Sequence, residues 1–229
     1  MILKDKAVVI TGASRGLGKE LALMFSKEGS KCVVGARTKA DLDEFTKVSN
    51  VTTSVTDVRD EGQVQRLAET AVKRFGRIDI WVNNAGVRIP HASIEKTDWK
   101  RVHDMMEINF FGVVYGSKVA LVRMKKQKAG VIINILSTAA LEGKPDLSAY
   151  AASKFAALGF TQSLRAEVKL SGINVISVYP GGMRTNFFDE QKPSDYEQYQ
   201  DPAIVAKGII DNLKKDRPEE ELILRRPKV

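Results

Sequence analysis

KAVVITGASRGLGKELALMFSKEG, residues 6 to 29, sets a short β-branched run against a glycine-rich turn and then a stretch of helical periodicity. A strand feeding a tight turn that itself opens a helix is the first half of a β-α-β unit. At such a turn the backbone N–H groups and the positive end of the helix dipole favour an anion. Gly12, Gly16 and Gly18 in TGASRGLG let the chain turn sharply and let a pyrophosphate approach the backbone. The spacing, G-x3-G-x-G, departs from the generic G-x-G-x-x-G dinucleotide pattern, so the loop's position between strand and helix carries the reading.

The same alternation continues outward. KCVVGA (31 to 36), VTTSVTD (51 to 57), IDIWVNN (78 to 84), GVIINILS (130 to 137) and INVISVYP (173 to 180) read as strands, with ELILRR (221 to 226) as a last one. Several are apolar at consecutive positions, which suits a parallel sheet covered by helices on both faces. LGKELALMFSKEG (17 to 29) and EGQVQRLAETAVKRFG (61 to 76) are helices stopped by glycine, and a long helical segment runs from about 98 to 126. This order predicts a doubly wound α/β fold with right-handed crossovers and a ligand site at the carboxyl ends of the strands. NFFDEQKPSDYEQYQ is polar, dotted with aromatics and aperiodic, a candidate substrate loop over about 186–201; Asp201 and Pro202 then read as the N-cap and first turn of AIVAKGIIDNL. With no repeat, low-complexity tract or linker, residues 1–229 are expected to form a single dinucleotide-binding domain.

Composition narrows the class. Hydrophobic residues make up 43% of the chain, enough for a sizeable core. No targeting segment is expected, since KAVVIT follows Met1 almost at once, and no apolar run approaches the roughly 20 residues that cross a bilayer. The single Cys32 has no internal disulfide partner. The expectation is a cytoplasmic protein with no membrane attachment and no metal site. The net charge of +8 suits an anionic partner, but the basic residues fall into separate groups, KKQK (125 to 128), KKDR (214 to 217) and RRPK (225 to 228). They form no stripe interleaved with exposed aromatics, so a solvated surface is expected and nucleic-acid binding is not.

SAYAASKFAALGF, residues 148 to 160, places Tyr150 and Lys154 four apart among small and apolar side chains, on one face of a helix. Alone, the pair reads equally as a lysine snorkelling past a tyrosine to water. A phenol beside an ammonium could equally do acid–base work: reducing a carbonyl by hydride leaves an alkoxide for a phenol to protonate, and the reverse reaction needs a phenolate that a nearby ammonium stabilises. Lowering a phenol pKa of about 10 by roughly three units takes about 4 kcal/mol, more than an exposed ion pair gives, so a dry pocket is expected to help. The second strand ends in Ala36, Arg37 and Thr38, with no acid to hold a ribose 2′-hydroxyl or repel a 2′-phosphate. Arg37 and Arg15 are fork-shaped donors suited to that phosphate, so NADP is expected over NAD. Asp57, at the end of the third strand, is placed to bond the adenine amino group.

TGASRGLG (11 to 18), NNAG (83 to 86), YAASK (150 to 154) and PGGMRT (180 to 185) resemble, in this order, four motifs of the short-chain dehydrogenase/reductase family, over roughly residues 4 to 185. The resemblance implies a Rossmann-type fold with a seven-stranded parallel sheet. It implies Ser137 as a third catalytic residue beside Tyr150 and Lys154, and Asn109, in INFFG, as a fourth whose main chain holds a water beneath the lysine. It also implies that Gly12, Ser14, Arg15, Gly16, Leu17 and Gly18 surround the cofactor phosphates, with Arg37 and Thr38 nearby. Asp57 and Val58 would meet the adenine, and Asn84, Ala85 and Gly86 the ribose. Pro180, Gly181, Met183 and Thr185 would cradle the nicotinamide, which Tyr150 and Lys154 also approach. Leu136 and Thr138 flank Ser137 where family members often carry a second serine or small residues, and the segment after Thr185 is short for the family. A homo-oligomer, dimer or tetramer, is implied as well.

The expected activity is NADP-dependent interconversion of a small-molecule carbonyl compound and an alcohol. Two readings stay open beside it: a 3-oxoacyl thioester reductase whose basic surface receives an acidic carrier protein, and a non-catalytic NADPH sensor. Leu141, Pro145, Leu147, Phe187 and Phe188 suggest an apolar approach to the site, while His91 and His103 lie in no motif.

Overall fold

The computed structural model describes residues 1–226. Its strands are β1 (Ala7–Thr11), β2 (Lys31–Ala36), β3 (Val51–Val55), β4 (Ile80–Asn83), β5 (Gly130–Ile135), β6 (Ile173–Pro180) and β7 (Glu221–Leu224). They form one seven-stranded sheet in the order β3-β2-β1-β4-β5-β6-β7, parallel throughout. The chain moves outward in one direction from β1 to β3, then returns to place β4 on the other side of β1. That reversal is the switch point at which doubly wound sheets open a crevice.

Six helices cover the sheet: α1 (Gly16–Lys27), α2 (Glu61–Phe75), α3 (Trp99–Met106), α4 (Gly112–Gln127), α5 (Ser148–Glu167) and α6 (Pro202–Lys214). Side-chain alternation along β1 divides the core. Val8 and Ile10 join Leu21 and Phe25 of α1 and Ile209 of α6, whereas Val9 joins Leu67 of α2 and Ala120 of α4 on the opposite face. Because both faces are covered, the strands need apolar residues at consecutive positions, as their sequences have. Helix ends follow local chemistry: Gly76 takes the left-handed conformation that closes α2, and the Asp201 carboxylate accepts from the Ala203 N–H at the start of α6.

The long helix is where sequence and structure part. Instead of running unbroken from 98 to 126, it is interrupted by one wider π turn, Glu107–Phe111, between α3 and α4. Such turns insert a residue and re-aim its neighbours. The continuous helical stretch Trp99–Gln127 is also long and apolar enough, by length and composition, to cross a membrane, contrary to the expectation that no segment comes close. Half of its apolar window is buried within the fold, where Ile108, Val119, Ala120 and Met124 pack on the sheet.

A buried polar ladder fixes the strand ends to these helices. Trp81 Nε1 donates to Asn83 Oδ1 at 2.7 Å, Asn83 Nδ2 to Ser117 Oγ at 3.0 Å and Asn134 Oδ1 at 2.8 Å, and Asn134 Nδ2 to Thr161 Oγ1 at 2.9 Å. It therefore crosses from α4 through β4 and β5 to α5. Helix α4 comes so close that a Cβ on Gly116 would stand 1.9 Å from Asn83 Oδ1. Replacing Gly116 with Ala is expected to cost about 2 kcal/mol of stability, read as a lower urea midpoint at unchanged m-value; an unaltered midpoint would show that α4 is free to move away.

Candidate active site

The carboxyl ends of the central strands open into one cleft of about 1010 Å³. At its floor lies the glycine loop. The N-cap of α1, Arg15, is extended and gives no side-chain cap, so the first N–H groups of the helix stay available to an anion. Gly12 and Gly16 have φ of 64° and 55°, and a Cβ on Gly12 would stand 2.6 Å from Ala85 Cα. On Gly16 a Cβ would stand 3.1 Å from Thr185 Cγ2. The loop is thus held between the segments after β4 and β6, in a cradle that side chains would fill. Ser14, Arg15 and Leu17 line the cleft with these glycines. Gly18 is not part of that lining: its place is against the Gly12 carbonyl and the Asn84 amide, 2.3 and 2.4 Å from where its Cβ would be. Asn84 Nδ2 in turn donates to the carbonyls of Thr11 and Gly12, at 3.0 and 2.9 Å, and secures the loop.

At one end of the cleft Arg15 and Arg37 are exposed and, among the described residues, have no ion-pair partner, while Thr38 lies outside the lining. Asp41 lies at this end too, brought back by the tight helical turns Ala40–Lys47 that follow β2. The absence of a carboxylate from residues 36 to 38 therefore does not leave the strand end free of acid. Asp57 and Val58 also line the cleft. Arg59 grips the Asp57 carboxylate, with Nη2 2.7 Å from Oδ2, and this hydrogen bond holds the Asp57 pKa below the usual carboxylate range.

At the other end β5 delivers Ser137, which caps a short turn by accepting the Ala139 N–H at 3.1 Å. Helix α5 brings Tyr150 and Lys154 to the same place. Lys154 is only 4% exposed and its Nζ donates to the Ile135 carbonyl at 3.1 Å; burial pulls its pKa down to about 8. Gly86 packs alongside: a Cβ there would lie 3.6 Å from that Nζ and 3.3 Å from Asn109 Oδ1. Asn109, on the π turn, does not line the cleft. Its amide bridges both backbone groups of Val87, at 2.8 and 2.9 Å, and donates to Ser153 Oγ at 3.0 Å, tying the segment after β4 to α5 beneath the lysine. Pro180, Gly181, Met183 and Thr185 line the wall formed by the end of β6.

The phenol of Tyr150 is pushed up to about 12 by burial, against which the neighbouring Ser137 hydroxyl and the positive field of Arg88 pull downward. This differs in two ways from the charge arrangement expected of the sequence. Dryness raises the phenol pKa and does not lower it, and the cation acting on it is Arg88.

Aromatic rings continue outward from Tyr150: Phe187 at 6.0 Å between centroids, then Phe188 at 5.6 Å from Phe187. Leu147 joins this wall, whereas Leu141 and Pro145 stay outside it. The segment after β6 is pinned at both ends by a parallel bridge between Met183 and Gln200.

Comparison with known proteins gives this arrangement its lineage. Residues 6–195 match the family model described as short chain dehydrogenase. The chain belongs to the short-chain dehydrogenase/reductase family. It is an oxidoreductase of that family, 36% identical over 234 residues to an uncharacterized oxidoreductase of Staphylococcus saprophyticus, with 96% of this chain and 94% of the relative covered. Among solved structures it is similar to an alcohol dehydrogenase from the archaeon Thermococcus sibiricus complexed with 5-hydroxy-NADP, at 26% identity and a TM-score of 0.89, covering 99% of this chain and all of that one. The fold is also that of a 3-ketoacyl-(acyl-carrier-protein) reductase from Brucella melitensis complexed with NADH, with a TM-score of 0.90 at 24% identity and 97% of each chain covered.

In this short-chain dehydrogenase/reductase the cleft also holds residues to which the sequence reading gave no role. Arg88, two positions after NNAG, and His91 both line it. Burial and the neighbouring Arg88 hold the His91 pKa below its ordinary value. The one signal for Arg88 was a charge inside the otherwise apolar AGVRIP.

Burying Lys154 has a pH signature. Below pH 8 the folded chain must keep a desolvated ammonium; between 8 and the 10.5 of an exposed lysine, the unfolded chain binds the extra proton, so this group's penalty shrinks as pH rises. Lys154→Met is therefore expected to be more stable than the wild type by up to about 3 kcal/mol below pH 8, with the two urea midpoints converging as the pH approaches 10.5. A gap that stays constant over that range would contradict the burial of the charge.

Proposed function

We propose that this chain is an NADP(H)-dependent oxidoreductase that interconverts a carbonyl compound and its alcohol, with Tyr150 as general acid and base. The observation that carries the reading is the meeting of Ser137 and Tyr150, at one end of a single cleft, with an uncapped helix N-terminus and glycine cradle at its floor. The similar Thermococcus sibiricus enzyme, complexed with 5-hydroxy-NADP, supports a nicotinamide dinucleotide in that cradle.

When bound, the dinucleotide would supply a hydride to the substrate carbon or accept one from it. Gly12, Ser14 and Gly16 would hold its pyrophosphate, and Arg15 and Arg37 its 2′-phosphate. Asp57 and Val58 would meet the adenine, Asn84 to Gly86 the ribose, and Pro180, Gly181, Met183 and Thr185 the nicotinamide. On the substrate side, the Ser137 hydroxyl donates to the carbonyl oxygen and polarises it. Tyr150 is neutral at working pH because its pKa lies near 12, so it holds the proton that the oxygen needs as alkoxide character develops. An alkoxide is more basic than a phenolate, and the transfer runs downhill. Arg88 stabilises the phenolate left behind, while Lys154 keeps most of its charge at neutral pH and steadies the ribose hydroxyls beside Gly86. The protein is thus charged for reduction at neutral pH, and oxidation is favoured by alkaline conditions.

We read the chain further as a cytoplasmic homo-oligomer. Phe111, Val122 and Phe155, exposed on the π turn, α4 and α5, support the oligomeric part of that reading.

A panel of ketones and aldehydes followed by NADPH absorbance tests the activity. Tyr150→Phe is expected to lower kcat about a thousandfold while NADPH binds with nearly the same Kd; turnover that survives the change, or NADPH binding without turnover of any panel member, would overturn the reading. Arg37→Asp is expected to shift the NADPH-over-NADH preference in kcat/KM toward NADH by about tenfold to a hundredfold, and an unmoved ratio would count against the 2′-phosphate assignment.

A further inference from the structure

The ring wall of the substrate half carries one cation, Arg88, that has no carboxylate partner among the described residues. Arg88 Cζ stands 4.8 Å from the centroid of the Phe188 ring. Its Nη1 donates to the Gln191 carbonyl at 2.9 Å and its Nη2 to Gln191 Oε1 at 3.2 Å, both neutral acceptors. A guanidinium has five N–H donors, so three of them, including the one on Nε, have no acceptor among the described residues.

The neighbouring cations Arg101, Lys144 and Arg59 each have a carboxylate partner, whereas Lys154 has only the Ile135 carbonyl. Arg101 holds Glu190 through both carboxylate oxygens, at 2.9 and 2.8 Å, Lys144 stands 3.4 Å from Glu142, and Asp104 stands 3.8 Å from Arg59. Asp189 is exposed and accepts from Asn186 at 2.9 Å. Glu190, the acid whose field reaches Arg88, is the one Arg101 already grips. Half-burying a cation without a carboxylate is costly, and the desolvation shows in an Arg88 pKa drawn below its ordinary value. A neutral side chain could anchor Gln191 without that cost.

We propose that Arg88 selects, among carbonyl compounds, those that carry a carboxylate: the substrate is a keto acid, or in reverse its hydroxy acid, whose reacting oxygen meets Ser137 and Tyr150 while its carboxylate takes the open donors of Arg88 beside the Phe188 ring. The proposal rests on the carbonyl–alcohol reading above and names the substrate class for it. A planar fork of donors matches a carboxylate in two parallel hydrogen bonds, which a lysine would not. One guanidinium balances one negative charge. A phosphate dianion would call for a second cation, and the lining cation of this end that has no carboxylate partner besides Arg88, Lys154, is the one assigned above to the cofactor ribose. The aromatic wall suits an aryl or other flat apolar body between the two polar ends.

Two probe pairs test this, benzoylformate against its methyl ester and para-formylbenzoate against its methyl ester, each followed by NADPH oxidation. The wild type is expected to favour the acid of at least one pair by about tenfold to a hundredfold in kcat/KM, chiefly through KM. In Arg88→Met the acid-to-ester ratio should collapse to near unity; Arg88→Lys, with the charge but not the fork, should keep part of it, and Lys144→Met should keep all of it. No acid preference in the wild type, or a preference that survives Arg88→Met, would overturn the proposal. Should none of the four compounds turn over, the carbonyl reading itself is challenged, and calorimetry with NADPH present decides the role of Arg88 separately. Benzoylformate binding weakened about tenfold in Arg88→Met supports it, and equal or absent binding refutes it.

Discussion

An ammonium with almost no contact with water is the constraint around which the active end of this protein is organised. Lys154 can lie there because its neighbours accommodate it: the carbonyl of Ile135 accepts a hydrogen bond from the ammonium, and Gly86 packs beside it. Asn109 adds the third support by holding both backbone groups of Val87, which requires its own segment to be re-aimed by a π turn in the middle of a long helix. Removing a charge from water is expensive, and folds keep such groups where chemistry uses them. The π turn, the glycine and the asparagine are in this sense one feature.

The strand ends that carry these groups are positioned by the polar ladder beneath them. Asn83 and Asn134 sit side by side in β4 and β5, and each also reaches a helix, Ser117 on α4 and Thr161 on α5. Every member of the ladder is satisfied, so it aligns the two strands and two helices without leaving a buried polar group unpaired. From that alignment follow the positions of NNAG after β4, Ser137 after β5 and Tyr150 on α5. The glycine loop is brought into the same frame by Asn84, whose amide bonds two of its carbonyls.

Much of this was legible in the sequence because it depends on local rules. Consecutive apolar residues announced strands covered on both faces, glycines announced the ends of α1 and α2, and Asp201 followed by Pro202 announced α6. The cleft gathers most of the residues that the motifs pointed to. What could not be read depends on chain returns and on charge in three dimensions. Asp41 comes back to the end of β2 only because Ala40–Lys47 curls. Gly18 looks like its loop companions in sequence, yet one helical turn points its Cα hydrogen at the Gly12 carbonyl instead of the cleft. The phenol and ammonium stand four residues apart, as expected, but their mutual influence depends on which loses its proton first, and burial drives the two pKa values in opposite directions. Arg88, which does act on the phenol, sits in a loop with no periodicity to mark it.

The central claim is that Lys154 is a desolvated cation at the reacting end of the cleft. Its titration can be followed directly by nuclear magnetic resonance of protein labelled at lysine Cε, with the Lys154 signal assigned by its absence from the Lys154→Met spectrum. A midpoint near pH 8 is what the account predicts; a midpoint near the 10.5 of an exposed lysine would contradict it.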